Sequence, residues 1–331
     1  MKAALPNDRA WHVLALGEAM VEFNQLQSSA QQYQQGFGGD TSNAVIAAGR
    51  AGATTAYLTR CGADFFGDAL MQLWRQENVN TQACERTPNA PTGVYFVTHS
   101  NAGHAFHYLR AGSAASQMTP HWLTQKPAAP EGLTPAEILK NSKWLHVSGI
   151  TLAISESACD TGLAAMQMAR DAGTQVSFDV NLRLKLWSLQ RAQDMVVKAI
   201  ALSDLFLPSL EDMTALIGLN EPDEILDWSH AQGARQVVLK LGPAGARISP
   251  HAQHPEQRQT ILGRSVTALD ATGAGDCFCG NLLARLAAGD TLPQAARYAN
   301  AAASLSVQVL GAVQSMPRPQ AVMAVLNASA A

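Results

Sequence analysis

Leu269-Asp270-Ala271-Thr272-Gly273-Ala274-Gly275-Asp276 stands directly ahead of a helix-forming run, Cys277 to Ala288. Two glycines separated by one alanine let the backbone turn tightly and bring amide N–H groups toward one point. The helix that starts there adds the positive end of its dipole, so the segment is a nest suited to a phosphate or another developing anion. Asp276, where that helix begins, could cap the helix or accept a proton from a substrate hydroxyl. Rival phosphate motifs are missing. There is no G-x-x-x-x-G-K-[ST], and Phe278 stands where a dinucleotide fingerprint needs its third glycine. Neither G-x-S-x-G nor H-E-x-x-H occurs.

Outward from this stretch, apolar runs of strand length alternate with amphipathic segments. Val13 to Gly17, Trp144 to Val147, Gln175 to Val180, Leu205 to Leu207 and Gln236 to Leu241 read as buried strands. Ser42 to Ala51, Phe66 to Trp74, Ser157 to Arg170 and Asn300 to Val309 read as helices. Alternation of this kind implies right-handed crossovers and a mainly parallel sheet covered on both faces, an α/β fold. Residues 93–98 and 104–109 break the rhythm: they are β-prone runs joined by Ser100-Asn101-Ala102-Gly103, a hairpin signal. With the extended stretch 19–35 they predict a small antiparallel flap. The segment 112–142 carries no clear period and is expected to be irregular.

The 331 residues are 47% hydrophobic and 15% charged, with a formal net charge of −3, which excludes a disordered chain. The 23 Lys and Arg are scattered without a run, which argues against a nucleic-acid partner. No signal-peptide core or 18-residue apolar stretch occurs, so neither secretion nor a membrane span is expected. Cys61, Cys84, Cys159, Cys277 and Cys279 form an odd, dispersed set with no CxxC, as expected of free thiols in a reducing cytoplasm.

Two further segments carry polar groups suited to a small ligand. Gly36-Phe37-Gly38-Gly39-Asp40-Thr41-Ser42-Asn43 precedes a helix, and its glycines allow close backbone approach to a ligand. Asp40 and Asn43 offer groups that sugar hydroxyls can share. Asp179-Val180-Asn181-Leu182-Arg183-Leu184-Lys185 ends a buried strand, the place where parallel sheets bind ligands.

These three motifs, in this order, resemble those of the ribokinase-like (PfkB) carbohydrate kinase family. Gly17-Glu18-Ala19-Met20-Val21-Glu22 and the run Phe178 to Trp187 are most similar to the branch that phosphorylates 2-keto-3-deoxygluconate. The resemblance implies one ribokinase-like three-layer domain over 11–325, with a β-sheet lid from about 18–37 and 92–112 and a loose N-terminus over 1–10. It implies transfer of the γ-phosphoryl group of ATP, with Mg2+, to a primary sugar hydroxyl in the cytoplasm. Asp276 is then the base, and the amides of Gly273, Ala274 and Gly275 form the anion hole. Gly38, Gly39, Asn43, Tyr95, Tyr108, Arg110, Asn181 and Arg183 join Asp276 around the sugar. Lys240, Gly242, Gly245 and Asn300 join Gly273 and Gly275 beside the nucleotide. The lid is expected to mediate contacts in a homodimer.

Pro208-Ser209-Leu210-Glu211-Asp212 departs from the family's Asn-x-x-Glu, with serine for asparagine and Asp212 in the glutamate's place as the candidate metal carboxylate. Arg110 and Arg183 suggest an acidic sugar, because a guanidinium fork suits a carboxylate and a neutral hexose would leave two cations unpaired. The competing readings are a fructokinase or ribokinase-type enzyme, a sugar-binding regulator without turnover, and a dehydrogenase.

Overall fold

The computed structural model describes residues 9–26, 31–100, 103–126 and 132–328. Residues 1–8, 27–30, 101–102 and 127–131, each within the span of an expectation above, lie outside them. The first half of the chain builds β1 (Trp11–Leu16), β2 (Met20–Gln25), β3 (Tyr33–Gly38), α1 (Asp40–Arg50), β4 (Thr55–Leu58), β5 (Arg60–Gly62) and α2 (Phe65–Gln76). β6 (Val79–Asn80), β7 (Glu85–Thr87), β8 (Val94–Ser100), β9 (Gly103–Leu109), α3 (Pro135–Lys140), β10 (Ser142–Ser148), α4 (Gly149–Ala153) and α5 (Glu156–Asp171) follow. Then come β11 (Gln175–Asp179), α6 (Leu189–Leu202), β12 (Leu205–Phe206), α7 (Leu210–Ile217), α8 (Pro222–Ala231), β13 (Gln236–Lys240), β14 (Gly245–Ser249) and β15 (Gln259–Leu262). Helices α9 (Ala274–Ala287), α10 (Leu292–Ser306), α11 (Ala312–Ser315) and α12 (Pro319–Ala328) close the chain.

Nine strands form the main sheet, in the order β15-β14-β13-β12-β11-β10-β1-β4-β6. It is parallel from β13 to β6, and antiparallel only where β14 and β15 extend one edge. Alternate side chains of β1 serve opposite faces: Leu14 and Leu16 pack with Leu139, Leu152 and Met166 of the α3, α4 and α5 layer. Val13 packs with Ala48 of α1 and with Leu282 and Leu283 of α9. The strand order reverses between β1 and β10, so the crevice beyond their carboxyl ends is where an open sheet of this kind takes its ligand.

Four strands, β3-β2-β8-β9, make a separate sheet, the flap. It is mixed rather than antiparallel, because β2 and β8 pair in parallel. Both strands leave the body in the same direction, with α1 to β7 between them, and only their hairpin partners β3 and β9 run back.

The expectation of an irregular 112–142 is corrected by α3. Thr134 and Glu137 form a capping box there, with Pro135 in the first turn. The last predicted helix starts at Leu292, eight residues before Asn300, where Thr291 and Gln294 form a second capping box.

Helix α9 lies against α1. A side chain at Gly280 would collide with the Ala44 carbonyl and stand 2.8 Å from the Ala47 Cβ, so the close crossing requires glycine there. That approach brings the first turns of the two helices together. All five cysteines are buried and unpaired. Among the described residues, no helix is long and apolar enough to cross a membrane.

Candidate active site

Gly273, in the left-handed region at φ 76°, is the N-cap of α9, and Asp276 lies in the first turn. Asp276 caps nothing. Its Oδ2 instead accepts a hydrogen bond from Asn43 Nδ2 at 2.8 Å, across 233 positions of sequence. One residue of the expected anion hole is already engaged: the Ala274 amide donates to the Ala271 carbonyl at 3.2 Å. The amides of Gly275 and Asp276 have no such partner among the described residues and remain for a ligand.

Burial pushes the Asp276 carboxyl up to about 7, and the nearby charge of Asp40 adds to the effect while the Asn43 hydrogen bond works against it. Asp40 in turn accepts from Asn181 Nδ2 at 2.9 Å. Asn181 sits at φ 36°, a backbone region uncommon for any residue but glycine. Two carboxylates and two amides, from α1, α9 and the end of β11, thus converge beyond the β1–β10 switch point. If Asp276 is the base, kcat/KM for the sugar is expected to fall about tenfold per pH unit below roughly pH 7. The sign follows because only the ionised carboxylate accepts a proton, and a raised pKa extends the protonated form toward neutrality. Asp40→Asn should move this acid limb to lower pH; a pH–rate profile of both proteins measures it.

Behind the nest, Lys240 is mostly buried and donates to both oxygens of the buried Asp179 at 2.8 Å. Burial alone would lower its pKa, but Asp179 outweighs burial and holds the ammonium charged beyond its ordinary range. A Cβ built on Gly275 would lie 3.7 Å from Lys240 Nζ, so this charge stands just under the nest. Gly242 and Gly245 turn the chain from β13 into β14, at φ 56° and 101°. The Asn300 side-chain amide is committed to the Leu262 carbonyl at 2.6 Å, tying α10 to the edge strand. Ser209 explains its own departure from the motif: its hydroxyl caps α7 by accepting from the Asp212 amide at 3.1 Å. Burial, and then the charge of Asp179, raise the Asp212 carboxyl above its usual range. Among the described residues, no group of three or more His, Cys, Asp or Glu is arranged to hold a metal ion.

On the flap side, Tyr95 donates its hydroxyl to Glu22 Oε2 at 2.5 Å and fills the space over Gly38. Tyr108 leans on Tyr95 with ring centroids 5.6 Å apart. The two arginines differ. Arg110 is partly buried and forms an ion pair with the buried Glu18, so the expectation that a neutral ligand would leave it without a partner is corrected. Arg183 is exposed, donates only to the Leu182 carbonyl at 2.8 Å, and has no carboxylate partner among the described residues. It follows the end of β11 by four residues, and its charge reaches the Tyr108 hydroxyl and Asp212.

Local sequence assigns no role to Asp179, Glu18 or Glu22. Each is a buried carboxylate, the one signal that marks them, and burial shows only after folding.

A three-layer α/β body, a flap over its switch point, and a carboxylate at a helix-borne anion nest together define a phosphoryl-transfer enzyme. The model for the pfkB family carbohydrate kinases matches residues 11–319, and the chain belongs to that family. Its members are carbohydrate kinases, phosphotransferases with an alcohol acceptor. The 2-dehydro-3-deoxygluconokinase of Escherichia coli (strain K12) is 30% identical over 308 residues, covering 91% of this chain and 96% of that protein. The probable fructokinase-7 of Arabidopsis thaliana is 29% identical, covering 96% and 93%. A fructokinase from Vibrio cholerae O395, solved with fructose, ADP and calcium ion, superposes with a TM-score of 0.81 at 29% identity, over 95% of this chain and 98% of that one.

Proposed function

We propose that the protein phosphorylates the primary hydroxyl of 2-keto-3-deoxygluconate, giving 2-keto-3-deoxy-6-phosphogluconate. The observation that carries this reading is Arg183, an exposed guanidinium without a carboxylate partner among the described residues, two positions after Asn181, which pairs with Asp40 beside Asp276. A sugar spanning the two would present its carboxylate to Arg183 and its far hydroxyl to Asp276. The 2-dehydro-3-deoxygluconokinase likeness supports the same substrate.

The hydroxyl oxygen attacks the γ-phosphorus of ATP; the new O–P bond forms as the bridging P–O bond to ADP breaks, and the hydroxyl proton passes to Asp276. Charge developing on the phosphoryl oxygens meets the Gly275 and Asp276 amides and the α9 dipole, with the Lys240 ammonium below. Mg2+ arrives as MgATP, and Asp212 is the carboxylate proposed to face it. Gly242, Gly245 and Asn300 border the proposed nucleotide side; Gly38, Gly39, Asn43, Asn181, Tyr95 and Tyr108 border the sugar. The flap's exposed Leu109 and Tyr33 are the proposed surface of a homodimer, and dependence on ATP fits a cytoplasmic enzyme.

A fructokinase is the second reading, favoured by the Arg110–Glu18 pair, which removes one of the two cations that called for an acid. A coupled ADP-release assay over 2-keto-3-deoxygluconate, its galactonate epimer, fructose and ribose decides. Highest kcat/KM for a keto acid is expected; preference for fructose or ribose overturns the substrate and leaves the kinase.

A further inference from the structure

The chain passes between body and flap four times, and all four crossings meet at one residue, Glu18, whose carboxylate is buried and reached by the third and fourth. Glu18 is 2% exposed and lies on the first crossing, between β1 and β2. The second, from β3 into α1, passes so close that a Cβ on Gly39 would stand 2.5 Å from the Glu18 carbonyl oxygen. At the third, into β8, a Cβ on Gly93 would stand 2.8 Å from Glu18 Oε1. At the fourth, out of β9, Ser113 Oγ donates to Glu18 Oε1 at 2.5 Å and Arg110 pairs with Glu18 Oε2. The third and fourth crossings are also tied to each other, the Ala114 amide donating to the Pro91 carbonyl at 2.9 Å.

We propose that Glu18 is a positioning residue for the sugar site: it pins the junction of flap and body and, through Arg110, fixes where the flap's aromatic wall stands over the substrate. Arg110 is the link. Its guanidinium carbon lies 5.9 Å from the Tyr108 ring centroid, and Tyr108 leans on Tyr95. An arginine held at one end by a buried carboxylate keeps its fork in one orientation, which lowers the entropy lost when a ligand arrives. Glu18 itself needs no contact with substrate.

The inference rests on the proposed kinase reaction but not on the choice of sugar, because the variants are compared with the wild type on whichever sugar the wild type uses best. Glu18→Gln keeps the shape and removes the charge. It is expected to raise the sugar KM roughly 10–100-fold, as for a lost bond to a charged group. The ATP KM should stay within about twofold and kcat within about threefold. In an Arg110→Met background, the same substitution should change the sugar KM by less than about threefold, because its effect runs through Arg110. Ser113→Ala, a milder change, should raise the sugar KM about 3–10-fold, and it decides the matter if Glu18→Gln does not fold. Three results would overturn the role: an unchanged sugar KM in a folded variant, equal rises in the sugar and ATP KM, or full additivity with Arg110→Met.

Discussion

Asp276→Asn is expected to lower kcat by roughly 10²–10⁴, the loss typical of a removed general base. Sugar and ATP KM should stay near the wild-type values. Asparagine has the same shape, and its side-chain oxygen can still accept from Asn43, now at 2.8 Å from the carboxylate, so the crossing of α1 and α9 is not disturbed. What disappears is the ability to take the hydroxyl proton. A carboxylate of ordinary pKa near 4 is a poor acceptor from an alcohol. At about 7, Asp276 is a stronger base by three orders of magnitude and still largely ionised above neutrality. The alternative, that Asp276 only ties α9 to α1 through Asn43, predicts turnover preserved, with any loss confined to melting temperature. Steady-state kinetics with a thermal melt separate the two, and near-normal turnover would sink the assignment.

How much of this was legible beforehand depends on how far apart the partners lie. The nest at Gly273 to Asp276 is local, and so is its helix; both could be read from eight consecutive residues. Five strands of the main sheet, β1 and β10 to β13, were equally plain, because both faces are covered and the runs are largely apolar, whereas the four-residue β4, though fully buried, was not read. The Thr134–Glu137 capping box was also local, but it sits before a six-residue helix too short to show a period. Strands β14 and β15 went unread for a related reason: β15 is mostly exposed, as suits an edge strand, and lacks an apolar run. The pairings that set the chemistry are of another kind. Asn43 with Asp276, Asp40 with Asn181, Asp179 with Lys240 and Glu18 with Arg110 all join positions 61 to 233 residues apart. No local pattern records them, and each gives a partner to a charged side chain that stands alone in the sequence.

Arg183→Ala carries the consequence of that last point. With Arg110 neutralised by Glu18, the selectivity for an acid falls on Arg183 alone. A charge-assisted bond to a carboxylate is worth about 1.5–3 kcal/mol, so the substitution is expected to raise the KM of the keto acid roughly 10–150-fold. Exposure favours the lower part of that range, since solvent screens the pair. The fructose KM should change by less than about threefold, because a neutral sugar has no carboxylate to lose. Stability should hardly change, because the Arg183 side chain is exposed and its one hydrogen bond is to the adjacent carbonyl. Parallel KM measurements on the two sugars provide the check. Equal losses on both would mean that Arg183 shapes the crevice without reading charge. A loss confined to the acid would make one guanidinium the difference between a sugar-acid kinase and a hexose kinase on the same floor of Asp276, Asn43 and the α9 nest.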